Sequence, residues 1–193
     1  MANASTTGFG LKPIKHVGQT DDNAGLGEFP VAASATAIYF QDLVVMAATG
    51  TATVAAAGTT HGLGSLNGVF YTDTTSLKPT FKNYLPGSIT ATDIKALVNS
   101  DPLQMYEIRT DNSSASAQTD VGDVADLSYS AGVTPNWISR TTLDDSTFGS
   151  PTTSRQLKVI GLSRDPDNQD LTAAGVVWRV IIMENFALAV TGI

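Results

Sequence analysis

Two runs near the end of the chain, Gln156-Leu-Lys-Val-Ile-Gly-Leu-Ser163 and Gly175-Val-Val-Trp-Arg-Val-Ile-Ile-Met183, flank the acidic stretch Arg164-Asp-Pro-Asp-Asn-Gln-Asp170. Both are rich in β-branched side chains, which are stiff at χ1 and pack well on a pleated surface. Between them Asp165, Pro166, Asp167 and Asn168 favour a turn and oppose helix. The pattern predicts two strands and their connection. In the first run Leu157, Val159 and Gly161 fall on one face and Lys158, Ile160 and Leu162 on the other, so the hairpin is expected to be buried on much of both sides.

The same signals recur upstream in shorter pieces. Ala37–Met46 reads as two β-rich runs with a bend at Gln41-Asp42. Thr51–Ala56 and Leu66–Thr72 follow as strands, set apart by Gly58 and by Gly62-Leu-Gly64. Asp73–Gly87, with Pro79 and Pro86 beside Phe81, Tyr84 and Leu85, reads as a wide loop. Further strands are expected near Asp93–Val98, Gln104–Thr110, Asp126–Tyr129, Trp137–Thr142 and Phe186–Val190. Only Ala117–Asp126 has helical character, with Thr119 as N-cap and Gly122 keeping it short. Many short strands between turn clusters predict an all-β fold: an antiparallel β-sandwich or β-barrel, jelly-roll-like or β-tulip-like, formed as a single domain by residues 36–193. A chain of 193 residues is long enough for one well-buried core.

Residues 1–35 lack either periodicity and are punctuated by Gly8, Gly10, Pro13, Gly18, Gly25, Gly27 and Pro30. They read as an extended N-terminal arm. Phe9, Leu11, Ile14, Val17, Leu26 and Phe29 give it apolar anchors, so docking on the body or on a neighbouring subunit is one expectation and an ordinary surface loop the other. In the first case, deleting Met1 to Val17 should leave the β-body folded.

The chemistry-bearing residues are few. Net charge is −7, and the 11 Lys and Arg are scattered, so no basic face for nucleic acid is expected. With no cysteine there is neither a disulfide nor a thiolate-metal site. Met1–Gly10 lacks the basic start and apolar run of a signal peptide, and no apolar stretch is long enough to span a bilayer, so a soluble protein without membrane partners is expected. His16 and His61 stand in no ligand pair. Gly8-Phe-Gly10 has Pro13 where a dinucleotide fingerprint needs glycine, and Ser65 is not at the centre of a nucleophile elbow. Asp165, Asp167 and Gln169 take alternate positions as in a calcium loop. However, Asp170 replaces the required glycine and Val176 the bidentate glutamate, which leaves a solvated turn. Asp21-Asp22-Asn23 and Asp144-Asp145 are short acidic turns whose adjacency alone supplies no convergent geometry. No catalytic residue, metal or cofactor is expected, and the chain does not read as an enzyme. Only 15% of residues are charged against 42% hydrophobic, so a hydroxyl-rich surface suited to close protein contact follows. The recognition candidates are aromatic: Phe70, Tyr71, Phe81, Tyr84 and Trp137, with Trp178 assigned to the core.

Several blocks together resemble a family of capsid decoration, or cement, proteins of tailed bacteriophages, in particular those of cyanophages and other aquatic phages. They are Thr6-Thr-Gly-Phe-Gly-Leu-Lys-Pro13, Thr36-Ala-Ile-Tyr-Phe-Gln-Asp-Leu-Val44, Asn67-Gly-Val-Phe-Tyr-Thr-Asp73, Asp101-Pro-Leu-Gln-Met-Tyr-Glu-Ile108, Asp120-Val-Gly-Asp-Val-Ala-Asp-Leu127 and Ile160-Gly-Leu-Ser-Arg-Asp-Pro-Asp-Asn168. The resemblance implies a virion protein on the outer surface of an icosahedral capsid, assembled in the host cytoplasm. Such a protein forms homotrimers that cement neighbouring major capsid protein subunits. Interface residues would then include Phe9, Leu11, Ile14, Val17, Phe29, Phe81, Tyr84 and Trp137. The alternative is a phage adhesin or fibre module that binds host-surface glycan, with Trp137, Tyr84 or Tyr71 as stacking platforms.

Overall fold

The computed structural model describes residues 7–17, 26–149 and 155–188. Its strands are β1 Lys12–His16, β2 Gly27–Pro30, β3 Leu43–Met46, β4 Ala52–Val54, β5 Gly62–Thr72, β6 Pro79–Lys82, β7 Lys95–Asn99, β8 Gln104–Arg109, β9 Val124–Ala125, β10 Leu127–Ser128, β11 Thr142–Leu143, β12 Leu157–Leu162 and β13 Val177–Ile182. Helix among the described residues is confined to two single 3-10 turns, Gln118–Asp120 and Asp145–Thr147. The first stands where a short helix is expected, with Ala117 rather than Thr119 as its cap. One sheet has the order β1-β8-β13-β12-β9 and the other β2-β7-β5-β3-β4, with β6 beside β5 and β10–β11 as a separate ribbon. The strand pairs are antiparallel. The fold is all-β and has the character of an antiparallel β-sandwich.

Strand β3 explains the layering. Its period of two sends Leu43 and Val45 into a core with Tyr106, Ile108, Val159, Trp178 and Val180 of the first sheet. Val44 joins a second core with Leu66, Val69, Ile94 and Val98, closed by Val31, Ile38 and Leu85. Where β5 passes the first sheet, Gly64 has φ +147°, and a Cβ there would lie 1.8 Å from the Asn99 carbonyl oxygen and 3.1 Å from the Tyr106 hydroxyl oxygen. Only glycine permits that approach. The buried carboxamide of Gln156 accepts from the Gly58 and Leu127 amides and donates to the Ala56 and Thr59 carbonyls, which ties the β4–β5 connection to the first sheet.

The C-terminal hairpin forms as expected, β12 against β13, but its burial is one-sided. Leu157, Val159 and Gly161 are buried while Lys158, Ile160 and Leu162 are only half-covered, and the register shifts between Val159 and Gly161. Other boundaries also differ. β5 begins at Gly62, inside the segment expected to separate two strands. β6 lies within the expected wide loop, and its Pro79 opens an edge strand, where a missing N–H is harmless. Trp137–Thr142 yields a strand only from Thr142; Trp137 has φ +55°, and Ile138 makes only an isolated bridge to Phe40. Phe186–Leu188 is turn, and the remainder of that expected strand, residues 189–190, lies outside the described residues.

The largest difference concerns residues 1–35. Lys12–His16 pairs antiparallel with β8, and Gly27–Pro30 with β7, so the expected arm supplies an edge strand to each sheet. The Gly10 amide donates to the Thr141 carbonyl, Leu11 to Gln41 and Val17 to Leu103. Leu11 is 0% exposed within the inter-sheet core, so it cannot contact another subunit as the resemblance implies. Ile14 and Phe29 are half-buried, Phe29 against the second core, and Val17 is exposed. Residues 1–6 and 18–25, including Asp21-Asp22-Asn23, lie outside the described residues.

Candidate functional site

The chain bends at Gln41, which takes φ +69°, as the Gln41-Asp42 break predicts. Beneath the bend Asp42 is fully buried, and its Oδ2 accepts the Tyr39 amide at 2.8 Å. Its Oδ1 lies 3.4 Å from the Thr141 hydroxyl, which donates to it. Burial pushes the Asp42 carboxyl up to about 6, against the opposing hydrogen bonds from Ser139, Tyr39 and Thr141. One carboxyl thereby fixes two segments, Tyr39–Gln41 and Ser139–Thr141. They are also laced by the backbone: Phe40 donates to the Trp137 carbonyl at 2.9 Å and Ser139 to the Phe40 carbonyl at 2.8 Å.

This lacing sets up an aromatic cluster. Trp137 stacks on Tyr84 with centroids 4.1 Å apart and planes 3° from parallel, and on Tyr39 at 6.1 Å and 17°. The Lys82 ammonium stands 5.6 Å from the Tyr84 ring centre. Next to Trp137 along the chain, Ile138 and Val133 are exposed, the latter by 50%. Tyr129 is exposed too, and its hydroxyl is pushed up to about 12 by burial and by the charges of Asp42 and Tyr39, so it stays a neutral donor.

Phe9 and Ile138 join this surface to two adjoining clefts. One, of about 420 Å³, has Phe40 on its apolar side and Lys12, Glu107 and Asp165 on its polar side. The other, of about 320 Å³, adds Val133, Asn136 and Arg140. Glu107 is committed within its own wall, accepting the Ser163 hydroxyl at 2.6 Å and pairing with Lys12 at 3.2 Å. The arrangement is an apolar, aromatic centre with a charged rim, the anatomy of a protein-binding surface.

Of the residues singled out from sequence, Phe9, Tyr84 and Trp137 come together here. Phe81 is 57% exposed on β6, in register opposite Phe70 and over Gly68, apart from this cluster. Ile14 and Val17 lie along β1 and its end, and Phe29 on β2. Tyr71 is 3% exposed and so cannot serve as a stacking platform. Trp137 and Tyr84 spend a ring face on each other, which takes that face away from a sugar. Asp165 caps its own turn by accepting the Asp167 amide, and Asn168 clips Val177 through both its amide and its carbonyl. The stretch is thus a hydrogen-bonded turn. Among the described residues no three acidic or imidazole side chains gather with metal-ligand geometry. Tyr39, Phe40, Val133, Ile138 and Asp42 complete the site without a sequence motif of their own. Their one legible signal was the Gln41-Asp42 break, which marked a bend without revealing its partner a hundred residues away. No protein-family model, curated protein or solved structure matches the chain.

Proposed function

We propose that the protein is a structural virion component that docks on the outside of an icosahedral phage shell and cements neighbouring major capsid protein subunits, acting as a homotrimer. The capsid reading rests on the sequence resemblance. The observation that carries a docking role is the stack of Tyr39, Tyr84 and Trp137 together with the clefts lined by Phe9, Ile138 and Val133, with Lys82 at the stack and Lys12 and Arg140 at the clefts. Aromatic anchors in a water-excluding setting dominate binding energy, while rim charges tune it. An acidic chain of charge −7 suits the outer face of a shell rather than the packaged nucleic acid.

Val133→Asp is expected to weaken binding of the purified protein to undecorated shells by about tenfold or more, because it places a charge among apolar anchors. Its thermal midpoint should barely move, since Val133 is half-exposed and surface changes are usually within about 0.5 kcal/mol. Equal occupancy for variant and wild type in sedimentation with shells would remove this face from the docking role. Protein counting on purified particles tests the broader reading: decoration requires copies on the order of the shell's own subunit number, and a copy number matching only a tail or fibre would sink it.

A further inference from the structure

Three carboxylates converge on one hydroxyl. The Ser113 Oγ lies 2.7 Å from Asp145 Oδ1, 2.8 Å from Asp111 Oδ1 and 3.3 Å from Asp144 Oδ1. It has a single proton to donate, and it also accepts the Ser146 amide at 3.1 Å. Backbone amides compensate in part: Ser113 donates to Asp111, Ser114 to Asp145 and Ser146 to Asp144. One acceptor is left over. Asp145 is only 3% exposed, and its Oδ2 is buried without a hydrogen-bond donor, beside the Asp111 carboxyl. Such an oxygen is costly unless something positive reaches it.

We propose that Asp145 and Asp111 share one proton, which clasps the segment after β8 onto the 3-10 turn Asp145–Thr147, and that the clasp loosens when this proton leaves. Like charges this close do not both ionise readily. Burial raises both carboxyls. For Asp145 it prevails, whereas for Asp111 the hydrogen bonds from Ser113 and from Asp145 outweigh it and hold it below the ordinary carboxylate range. The other charged groups facing the pair are Asp144 of the same turn and Arg109, whose guanidinium donates to the Thr110 carbonyl and is pulled down by burial, against a smaller opposing effect of the Asp111 charge. Asp126, which follows β9, is paired with Arg155 at 2.5 Å, and Asp170, before the Leu171–Ala174 turn, accepts from Thr172. The rest of the adjoining 270 Å³ cleft is lined by neutral side chains, among them Thr110, Asn112 and Ser116.

The two titrations act in opposite directions. Asp145, raised above its unfolded value of 3.8, stabilises the fold fully below that value and loses its contribution as pH rises through the folded pKa. Asp111, lowered, contributes above 3.8 and loses its share as pH falls. The clasp is therefore tightest between them, where the pair holds one proton.

Carboxyl-resolved NMR titration of the full chain tests this together with amide exchange at Ser113, Ser114 and Ser146. The expected result is a split pair, one carboxyl titrating above and one below the ordinary range. Protection factors at the three amides should fall by up to about tenfold per pH unit as pH rises from about 3.8 to the upper midpoint, and level off above it. Asp145→Asn keeps a donor at this position and should hold those factors constant across that range; Asp111→Asn serves if the first variant does not fold. Two carboxyls titrating together at ordinary values would overturn the proposal. So would an Asp145→Asn profile that still falls like wild type, or protection that calcium restores at neutral pH, which would make the missing charge a cation.

Discussion

A chain lacking residues 1–17 is expected to lose the cooperative melting transition of the full protein, and Leu11→Ala alone to lower stability by about 3 kcal/mol. Leu11 is 0% exposed in the core shared by both sheets, so its truncation removes apolar burial and leaves a cavity. The deletion does more. It strips the partner of β8 from Gln104 to Glu107, and it orphans the Gln41 and Thr141 carbonyls that the Leu11 and Gly10 amides satisfy. The fit is tight there: Gly10 has φ +74°, and a Cβ would stand 2.2 Å from the Gln41 carbonyl oxygen. Urea titration followed by tryptophan fluorescence reads both variants. A truncated chain that melts cooperatively within a few degrees of full length would show that these contacts are peripheral. The expectation also bears on function, because loss of shell binding after such a deletion would report unfolding of the body and not a missing clamp.

Gly8, Gly10 and Pro13 are residues that normally interrupt regular structure, yet β1 is an edge strand with a register shift between Pro13 and Lys15, a setting that tolerates a missing donor. The same holds for β6, which opens on Pro79. By contrast the β12–β13 hairpin was legible because its β-branched runs are long and its turn residues unambiguous, and Trp178 is fully buried as expected. Of the docking surface, sequence marked the anchors Phe9, Tyr84 and Trp137. It did not reveal what assembles them, because Tyr39, Tyr84 and Trp137 are brought together by the Ile38–Leu85 and Phe40–Ile138 bridges, and no local pattern encodes such long-range pairing. Asp144-Asp145 was visible as an acidic turn, but Asp111 comes from another part of the chain, so the shared site emerges only on folding.

Asp42→Asn is expected to remove a pH-dependent term in stability on the order of 3 kcal/mol. The folded carboxyl titrates at about 6 against 3.8 for the ordinary group, chiefly because burial penalises its charged form. A raised pKa means that the folded state holds the proton more tightly. The contribution is thus fully present below 3.8 and is lost as pH rises through about 6. Near neutrality the wild type carries a buried charge that the Tyr39 amide and the Ser139 and Thr141 hydroxyls offset only in part. Asparagine retains an acceptor for the Tyr39 amide, and its NH₂ group can be received by either hydroxyl, since each both donates and accepts. The variant should therefore match the wild type in urea titrations below pH 3.8, exceed it progressively as pH rises from there to about 6, and keep a constant margin at higher pH. Across that window the slope of log K for unfolding against pH should differ by about one proton. Parallel slopes for the two proteins would mean that Asp42 does not carry this titration. Asp42→Ala is the opposite case, because it leaves the Tyr39 amide without its acceptor and frees the Ser139–Thr141 segment. It should destabilise at every pH and loosen the seat of Trp137, so Val133→Asp and Asp42→Ala would both reduce shell binding, but only the second would lower the melting point as well.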